Sequence, residues 1–267
     1  MILRKVTATR YVTPLREGGS LPAIIEADDD GMYVLKFRGA GQGPKALIAE
    51  LVAGELARAL GLAVPELVFV ELDGELARTE PDPEIQSLIR DSAGLNLALD
   101  YLPGSITFDP IAERIDVDLS SAIVWFDALV TNVDRTPRNA NLLVWHKKLW
   151  LIDHGAALYF HHTWTNYLER SRDSFPNIKD HVLLPFSSEV SLRGVDEKMA
   201  KLITPGTISG IIKLIPDEWL KVQSGVSDPP FAEATEYRTA YNEYLEKRLN
   251  APRVFLEEAI RARALSV

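Results

Sequence analysis

The segment Thr131–Leu158, TNVDRTPRNANLLVWHKKLWLIDHGAAL, constrains the fold more than any other part of this chain. Asp134, Arg135, Arg138, Asn139 and Asn141 crowd its first half, and Asp153-His154-Gly155 nearly closes it. Between them, Leu142–Trp145 and Leu149–Ile152 run apolar on either side of the polar turn His146-Lys147-Lys148. Two short apolar runs joined by a polar turn predict a β-hairpin. A hairpin goes out and returns at about 3.3 Å per residue. It therefore brings Asp153 back beside Asn139 and Asn141, with Asp134 on the loop that leads in. Two carboxylates and one or two amides then meet in one place, where an apolar core has no use for them.

Hard oxygen donors of this kind suit Mg²⁺ held jointly with phosphate oxygens. In the protein-kinase catalytic loop, a base Asp precedes a metal-binding Asn by five residues, and a second metal-binding Asp precedes a Gly further on. Asp134 and Asn139 have that spacing, and Asp153-His154-Gly155 follows the hairpin. Asp134 would orient or deprotonate an acceptor hydroxyl, while Asn139 and Asp153 hold metal against a transferring phosphoryl group. Asn141 is a competing ligand. An isolated D-x-x-x-x-N means little, because Asp and Asn commonly just make turns. The hairpin and the Asp-x-Gly give the spacing its weight. Arg135 and Arg138 are open to three roles: binding substrate phosphate, stabilising the transferring group, or pairing with nearby acids.

Such a site also needs a strand lysine for the nucleotide phosphates, a helix glutamate to position it, and a glycine turn. AIIEA and MYVLKF read as strands separated by the turn-rich DDDG. Alternation puts Lys36 on the face of Met32 and Val34, opposite Tyr33, Leu35 and Phe37. A helix follows from Leu47, Ile48, Leu51, Val52, Leu56 and Leu60, ending near Gly61. It offers Glu50 and Glu55, and periodicity alone does not choose between them. The turn Arg16–Ser20, with Gly18, Gly19 and Ser20, precedes the lysine strand, where a phosphate-covering turn belongs. A second turn, Gly39–Pro44, leads into the helix, where free N–H groups bind anions. VPELVFVEL reads as another strand. LNLALDYLPGS is an apolar strand that runs into a Pro-Gly break.

Beyond that break the pattern turns helical, with SSAIVWFDALVTN capped by Ser120 or Ser121, then DEKMAKLI, TISGIIKLI and the long stretch from Glu233 to Leu265. SRDSFPNIKDHVLLPFSS reads as a loop free to move. The expected fold is α+β and two-lobed, like a protein kinase. Residues 1–98 form a strand-rich lobe with one main helix, 99–104 a hinge, and 105–267 a helical lobe carrying the catalytic hairpin.

Composition excludes several classes. A net charge of −9 disfavours nucleic acid and anionic lipid as partners. The chain has no cysteine, so disulfides and thiolate metal sites are impossible, in keeping with a cytoplasmic location. No apolar run approaches the length of a membrane span, and MILRKVTATRYVT lacks the apolar core of a signal peptide.

YVLKF, then AELVAGELARALGLAVPE, then NVDRTPRNANLL and LIDHG together resemble the HipA-like kinase family, whose catalytic core is similar to that of phosphatidylinositol kinases. The resemblance covers roughly residues 33–159. It implies an ATP- and Mg²⁺-dependent phosphotransferase acting on a hydroxyl, foremost that of a protein Ser/Thr. It also implies Asp134 as acid–base, Asn139 and Asp153 as metal ligands and Lys36 on the phosphates. It further implies Glu50 as the lysine's partner, since the family pattern places a glutamate six residues before a Leu-Ala pair, here Leu56-Ala57. The resemblance also implies adenine against ALDYLPG, with Asp100, Tyr101 and Leu102. The chain departs from the family at Thr136, where HipA kinases often carry His, and it is shorter than full HipA toxins. Two other readings compete: a metal-dependent phosphohydrolase using His161 and His162 as extra ligands, and a nucleotide-binding pseudokinase.

Overall fold

The strands expected in the first hundred residues close into a barrel. The computed structural model describes residues 2–15, 21–41, 43–221 and 230–266. β1 (Lys5–Pro14), β2 (Ala23–Ala27), β3 (Met32–Lys36), β4 (Leu67–Leu72) and β5 (Gly94–Asp100) pair in the order β1-β2-β3-β5-β4. The ring closes where β1 runs parallel to β4, and every other pairing in it is antiparallel. Period-2 alternation decides what fills it. Tyr33, Leu35 and Phe37 join Val6, Ile25, Val70 and Ala98 in one apolar core, which leaves Lys36 on the opposite face of β3.

Between β3 and β4 lies α1 (Pro44–Ala59). Pro44 sits in its first turn, where a missing N–H costs nothing, and Gly61 at φ +80° terminates it. Every residue from Leu47 to Ala57 is buried, as expected of a helix packed on more than one side. Its apolar residues belong to the same core as those of the helices that follow the barrel.

The remaining helices are α2 (Pro83–Asp91), α3 (Val117–Val130), α4 (Tyr167–Arg170), α5 (Glu189–Leu202), α6 (Pro205–Ile212), α7 (Asp217–Lys221), α8 (Ala234–Leu249) and α9 (Val254–Leu265). α3 starts earlier than expected. Asp116 caps it, accepting the N–H groups of Asp118 (2.9 Å) and Leu119 (3.0 Å), while Ser120 and Ser121 lie buried inside the helix. Trp219 on α7 is fully buried, packs edge-on to Phe69 with centroids 5.7 Å apart, and donates its indole N–H to the Leu95 carbonyl at 3.2 Å. It ties the C-terminal helices to β4 and β5.

The hairpin forms a three-stranded sheet in the order β6 (Ile106–Thr107), β7 (Leu142–Trp145), β8 (Lys148–Leu151). Its turn is one residue shorter than expected. His146 and Lys147 both take left-handed φ (+48° and +62°), as the tight two-residue turn demands, so Lys148 pairs with Trp145. The stretch 171–188 is also unlike the free loop expected. It makes two 3₁₀ turns, Pro176–Asp180 and Leu184–Phe186, and buries Ile178, Val182, Leu183 and Leu184. Among the described residues, no helix is long and apolar enough to cross a membrane.

Candidate active site

α3 ends at Thr131, whose left-handed φ of +54° is unusual for a β-branched residue and turns the chain sharply out of the helix. The loop that follows folds back on itself, with Thr136 and Asn139 exchanging backbone hydrogen bonds of 3.0 Å. Asp134 then lies between two amides. Its Oδ2 accepts from Asn139 Nδ2 at 2.7 Å and from Asn141 Nδ2 at 3.3 Å. Asn141 and Asp153 both sit in the left-handed region, at φ +49° and +55°, which Asn and Asp tolerate better than most residues. Asn141 Nδ2 also lies 3.5 Å from the Asp153 carbonyl, so the two ends of the hairpin meet.

Lys36 reaches this cluster from the barrel, 117 residues away in sequence, and places Nζ 2.8 Å from Asp153 Oδ1. Burial opposes the ammonium charge, but Asp153, Glu50 and Asp134 outweigh it and raise the proton affinity of Lys36. Burial likewise opposes the Asp153 carboxylate, yet Lys36 holds its pKa below the ordinary value. Asp134 goes the other way. Burial, reinforced by the neighbouring Asp153 charge, overcomes the two amides and pushes its carboxyl above the ordinary value. A half-buried carboxylate with increased basicity beside a compensated Lys–Asp pair is suited to receiving a proton.

Glu50 is in the cluster, but its hydrogen bonds go to His154 rather than to Lys36. Glu50 Oε2 accepts the His154 backbone N–H at 2.8 Å, and Oε1 lies 3.3 Å from His154 Nδ1. Its charge acts on Lys36 through space. Glu50 therefore grips the Asp153-His154-Gly155 turn from behind. On the other side, the His154 ring packs edge-on to Phe126 of α3. Glu55 turns away, lying 3.3 Å from Arg58 and close enough to feel the charge of Glu66.

Of the three roles open to Arg135, pairing with an acid is the one seen. Its guanidinium is fully buried, with Nε 2.6 Å from Asp127 Oδ2. Nη1 donates to the carbonyls of Asn141 and, at 3.5 Å, Ile152. Buried in this way, Arg135 supports the site without facing a substrate, which sets aside for it both substrate binding and the catalytic role of stabilising the transferring group. Arg138 is exposed. Asp127 was not among the expected residues, although an acid inside the apolar run SSAIVWFDALV is a signal that something polar must meet it.

The other expected residues are mixed. Gly18, Gly19 and Ser20 lie outside the described residues. In the second glycine turn, the Gly39 N–H is spent on Ser92 Oγ (3.0 Å) and the Gly43 N–H on the Ala40 carbonyl (2.8 Å), so neither waits for an anion. Asp100 and Tyr101 donate their N–H groups to the Glu66 (2.8 Å) and Met32 (3.0 Å) carbonyls, and Leu102 is buried. His161 is buried beside Phe160 and Tyr241 of α8, with Nδ1 2.9 Å from Tyr241 Oη. Among the described residues, no group of three or more His, Cys, Asp or Glu side chains is placed to hold a metal ion. The oxygen-bearing side chains gathered there are those of Asn139 and Asn141, both bonded to Asp134, and of Asp153, whose backbone carbonyl Asn141 meets. That set fits a hard divalent cation sharing its coordination with phosphate oxygens and water.

A search of curated proteins finds no match. Among solved structures, the Helicobacter pylori proinflammatory kinase CtkA shares the fold, with a TM-score of 0.56 at 14% identity over 99% of each chain. The Golgi casein kinase is also similar, with a TM-score of 0.45 at 14% identity over 96% of this chain and 74% of that one. Its Mn/ADP-bound structure gives a TM-score of 0.47, also at 14% identity, over 98% and 73%. The family model described as HipA-like kinase matches residues 9–248, from β1 through the Asp134 loop and the hairpin to the end of α8. On that match, the chain is a kinase and belongs to the HipA-like kinase family.

Proposed function

We propose that this kinase binds ATP with Mg²⁺ and transfers the γ-phosphoryl group to a protein Ser or Thr hydroxyl, with Asp134 receiving the hydroxyl proton. The observation that carries this reading is the meeting of Lys36 from β3, Asp134 and Asn139 from one loop, and Asn141 and Asp153 from the two ends of a hairpin. Asp153, with Asn139 or Asn141, would hold the cation, which neutralises charge on the phosphates when bound. Lys36, 2.8 Å from Asp153, would serve the phosphates. Asp134 stands within hydrogen-bond reach of both amides, and its raised basicity suits it to orient the acceptor and take its proton.

The layout that goes with this chemistry is two-lobed, with residues 1–98 and 105–267 on either side of a 99–104 hinge. Adenine would lie along Ala98–Gly104 against Leu102, and the turn at Gly18, Gly19 and Ser20 would cover the phosphates.

Two measurements test the proposal. Thermal unfolding with ATP, Mg²⁺ or both should show stabilisation that requires nucleotide, and radiolabelled ATP should label Ser/Thr peptides or the protein itself. Asp134→Ala should keep nucleotide binding and lose at least about 100-fold in transfer. No stabilisation by ATP with Mg²⁺ would sink the nucleotide reading. Label appearing only in lipid or a small molecule would overturn the acceptor while leaving phosphotransfer.

A further inference from the structure

Resting on the phosphotransfer reading, the geometry points to Asp127 as the positioning residue of the site: from inside α3 it fixes the backbone on which Asp134, Asn141 and Asp153 are mounted. Asp127 has no solvent exposure, and it sits in a helix whose every residue from Ser120 to Val130 is buried. A carboxylate in such surroundings persists only when paired and hydrogen-bonded. Asp127 is bonded on both oxygens. Oδ1 accepts from Asn132 Nδ2 at 2.9 Å. Oδ2 accepts from Arg135 Nε at 2.6 Å and lies 2.9 Å from His181 Nε2. His181 Nδ1 accepts the Leu183 N–H at 3.0 Å, so in the neutral ring the proton is on Nε2 and is donated to Asp127.

Each partner leads onward to the candidate site. Asn132 Oδ1 accepts the backbone N–H of Asp134 at 3.2 Å. Arg135 donates to the carbonyl of Asn141 and to that of Ile152, the residue before Asp153. His181 anchors the 3₁₀-rich stretch, whose Val182 N–H returns to the Arg135 carbonyl at 3.1 Å. One buried carboxylate is therefore joined by single side chains to the expected base and to both ends of the hairpin. Asp134, Asn141 and Asp153 lie on loop or hairpin-end backbone with two left-handed φ angles, which needs such outside support to stay in register.

A purely stabilising role predicts something different from a positioning role, and two variants separate them. Arg135→Lys keeps a cation against Asp127, but one ammonium cannot reproduce a planar fork that spans a carboxylate and two carbonyls. The double variant Asp127→Asn/Arg135→Met leaves no uncompensated charge in the core, so it remains informative where either single change fails to fold. The full chain is compared by thermal unfolding, by Mn²⁺ binding in the presence of ADP followed by electron paramagnetic resonance, and by kcat and KM for ATP.

Both variants should keep KM for ATP within about threefold. They should weaken Mn²⁺ binding at least about tenfold and lower kcat about 100-fold, as expected when the support of a ligand set shifts. A folded Arg135→Lys or double variant with wild-type Mn²⁺ binding and kcat would overturn positioning and leave only charge compensation. Wild-type protein that binds Mn²⁺ and ADP but transfers nothing would sink the phosphotransfer reading alone, and the Mn²⁺ comparison would still decide the role of Asp127. Wild-type protein that binds neither would overturn both.

Discussion

Replacing Glu50 by Gln tests whether this residue works through the Asp153 turn or through Lys36. The substitution is isosteric and keeps one carbonyl oxygen facing the His154 N–H, now 2.8 Å from Glu50 Oε2, but it removes the charge. A hydrogen bond to a charged group contributes about 1.5–3 kcal/mol and a neutral one about 0.5–1.5, so the loss is about 1–2 kcal/mol. At about 2–4 °C per kcal/mol for a chain of this size, Tm should fall by roughly 2–8 °C. Glu50→Ala also leaves a buried N–H without an acceptor and should cost about 1–3 kcal/mol more. If Glu50 holds the turn, loosening it displaces Asp153. Then kcat should fall by roughly 10–100-fold and the free Mg²⁺ needed for half-maximal rate should rise, with KM for ATP little changed. If Glu50 instead positions Lys36 on the phosphates, KM for ATP should bear the loss. The assay is therefore kcat against ATP and Mg²⁺ in turn, beside a denaturation curve. A tenfold rise in KM for ATP with unchanged Mg²⁺ dependence and Tm would refute the turn-holding argument.

Two further outcomes follow from other buried groups. His161 and His181 are both buried, and burial lowers their pKa values, for His181 despite its Asp127 partner. Below pH about 6.5 the unfolded chain takes up protons that the folded chain refuses, so stability falls as pH falls, by up to about 1.4 kcal/mol per pH unit per histidine until the folded pKa is reached. Urea unfolding at pH 7.5 and 5.5 should show this slope, and His161→Phe should remove about half of it; an unchanged slope in the variant would exclude His161 as a source. Trp219→Ala removes a fully buried indole between α7 and the barrel and should cost roughly 3–5 kcal/mol, seen as a Tm drop of about 6–20 °C. A drop below about 2 °C would mean that the contact with Phe69 and Leu95 does not hold the two parts together.

What the sequence made legible was local. β2, β3, β4 and β5 follow from alternation or from short apolar runs, and α1 from periodicity with its Pro and Gly ends. β1 is hidden because its register shifts twice against β2, near Thr9 and Val12, and each shift breaks the alternation on which a strand is recognised. α2 offers only Ile85, Leu88 and Ile89 as an apolar face among polar and turn-forming residues, too brief a pattern to stand out. In the site, the loop carrying Asp134 and Asn139 runs directly into the hairpin that returns Asp153, so a short window contains them. The Lys36–Asp153 pair and the Glu50–His154 grip join segments more than 100 residues apart, and no local pattern says which acid a lysine will meet. Asp127 was legible only as an anomaly, a charge inside an apolar helix, and its partners depend on how the 171–188 stretch packs.

The two asparagines left open by the sequence are set apart by their surroundings. Asn141 is buried and left-handed, its carbonyl is held by Arg135, and its amide nitrogen is shared between Asp134 Oδ2 and the Asp153 carbonyl. Turning that amide to present its oxygen to a cation would forfeit bonds inside a packed loop. Asn139 is exposed, and its amide nitrogen makes one bond, to Asp134 at 2.7 Å, so its side chain can reorient at little expense. Asn139→Ala should therefore leave Tm within about 2 °C, the surface-substitution range, while raising the Mg²⁺ concentration needed for half-maximal rate at least about tenfold. Asn141→Ala should cost about 1–3 kcal/mol of stability by stripping a donor from Asp134 and the turn, and lower kcat without a selective change in Mg²⁺ dependence. The reverse pattern, a stable Asn141→Ala with impaired Mg²⁺ dependence beside a silent Asn139→Ala, would assign the cation to the buried amide and show that preorganisation outweighs freedom to turn at this position.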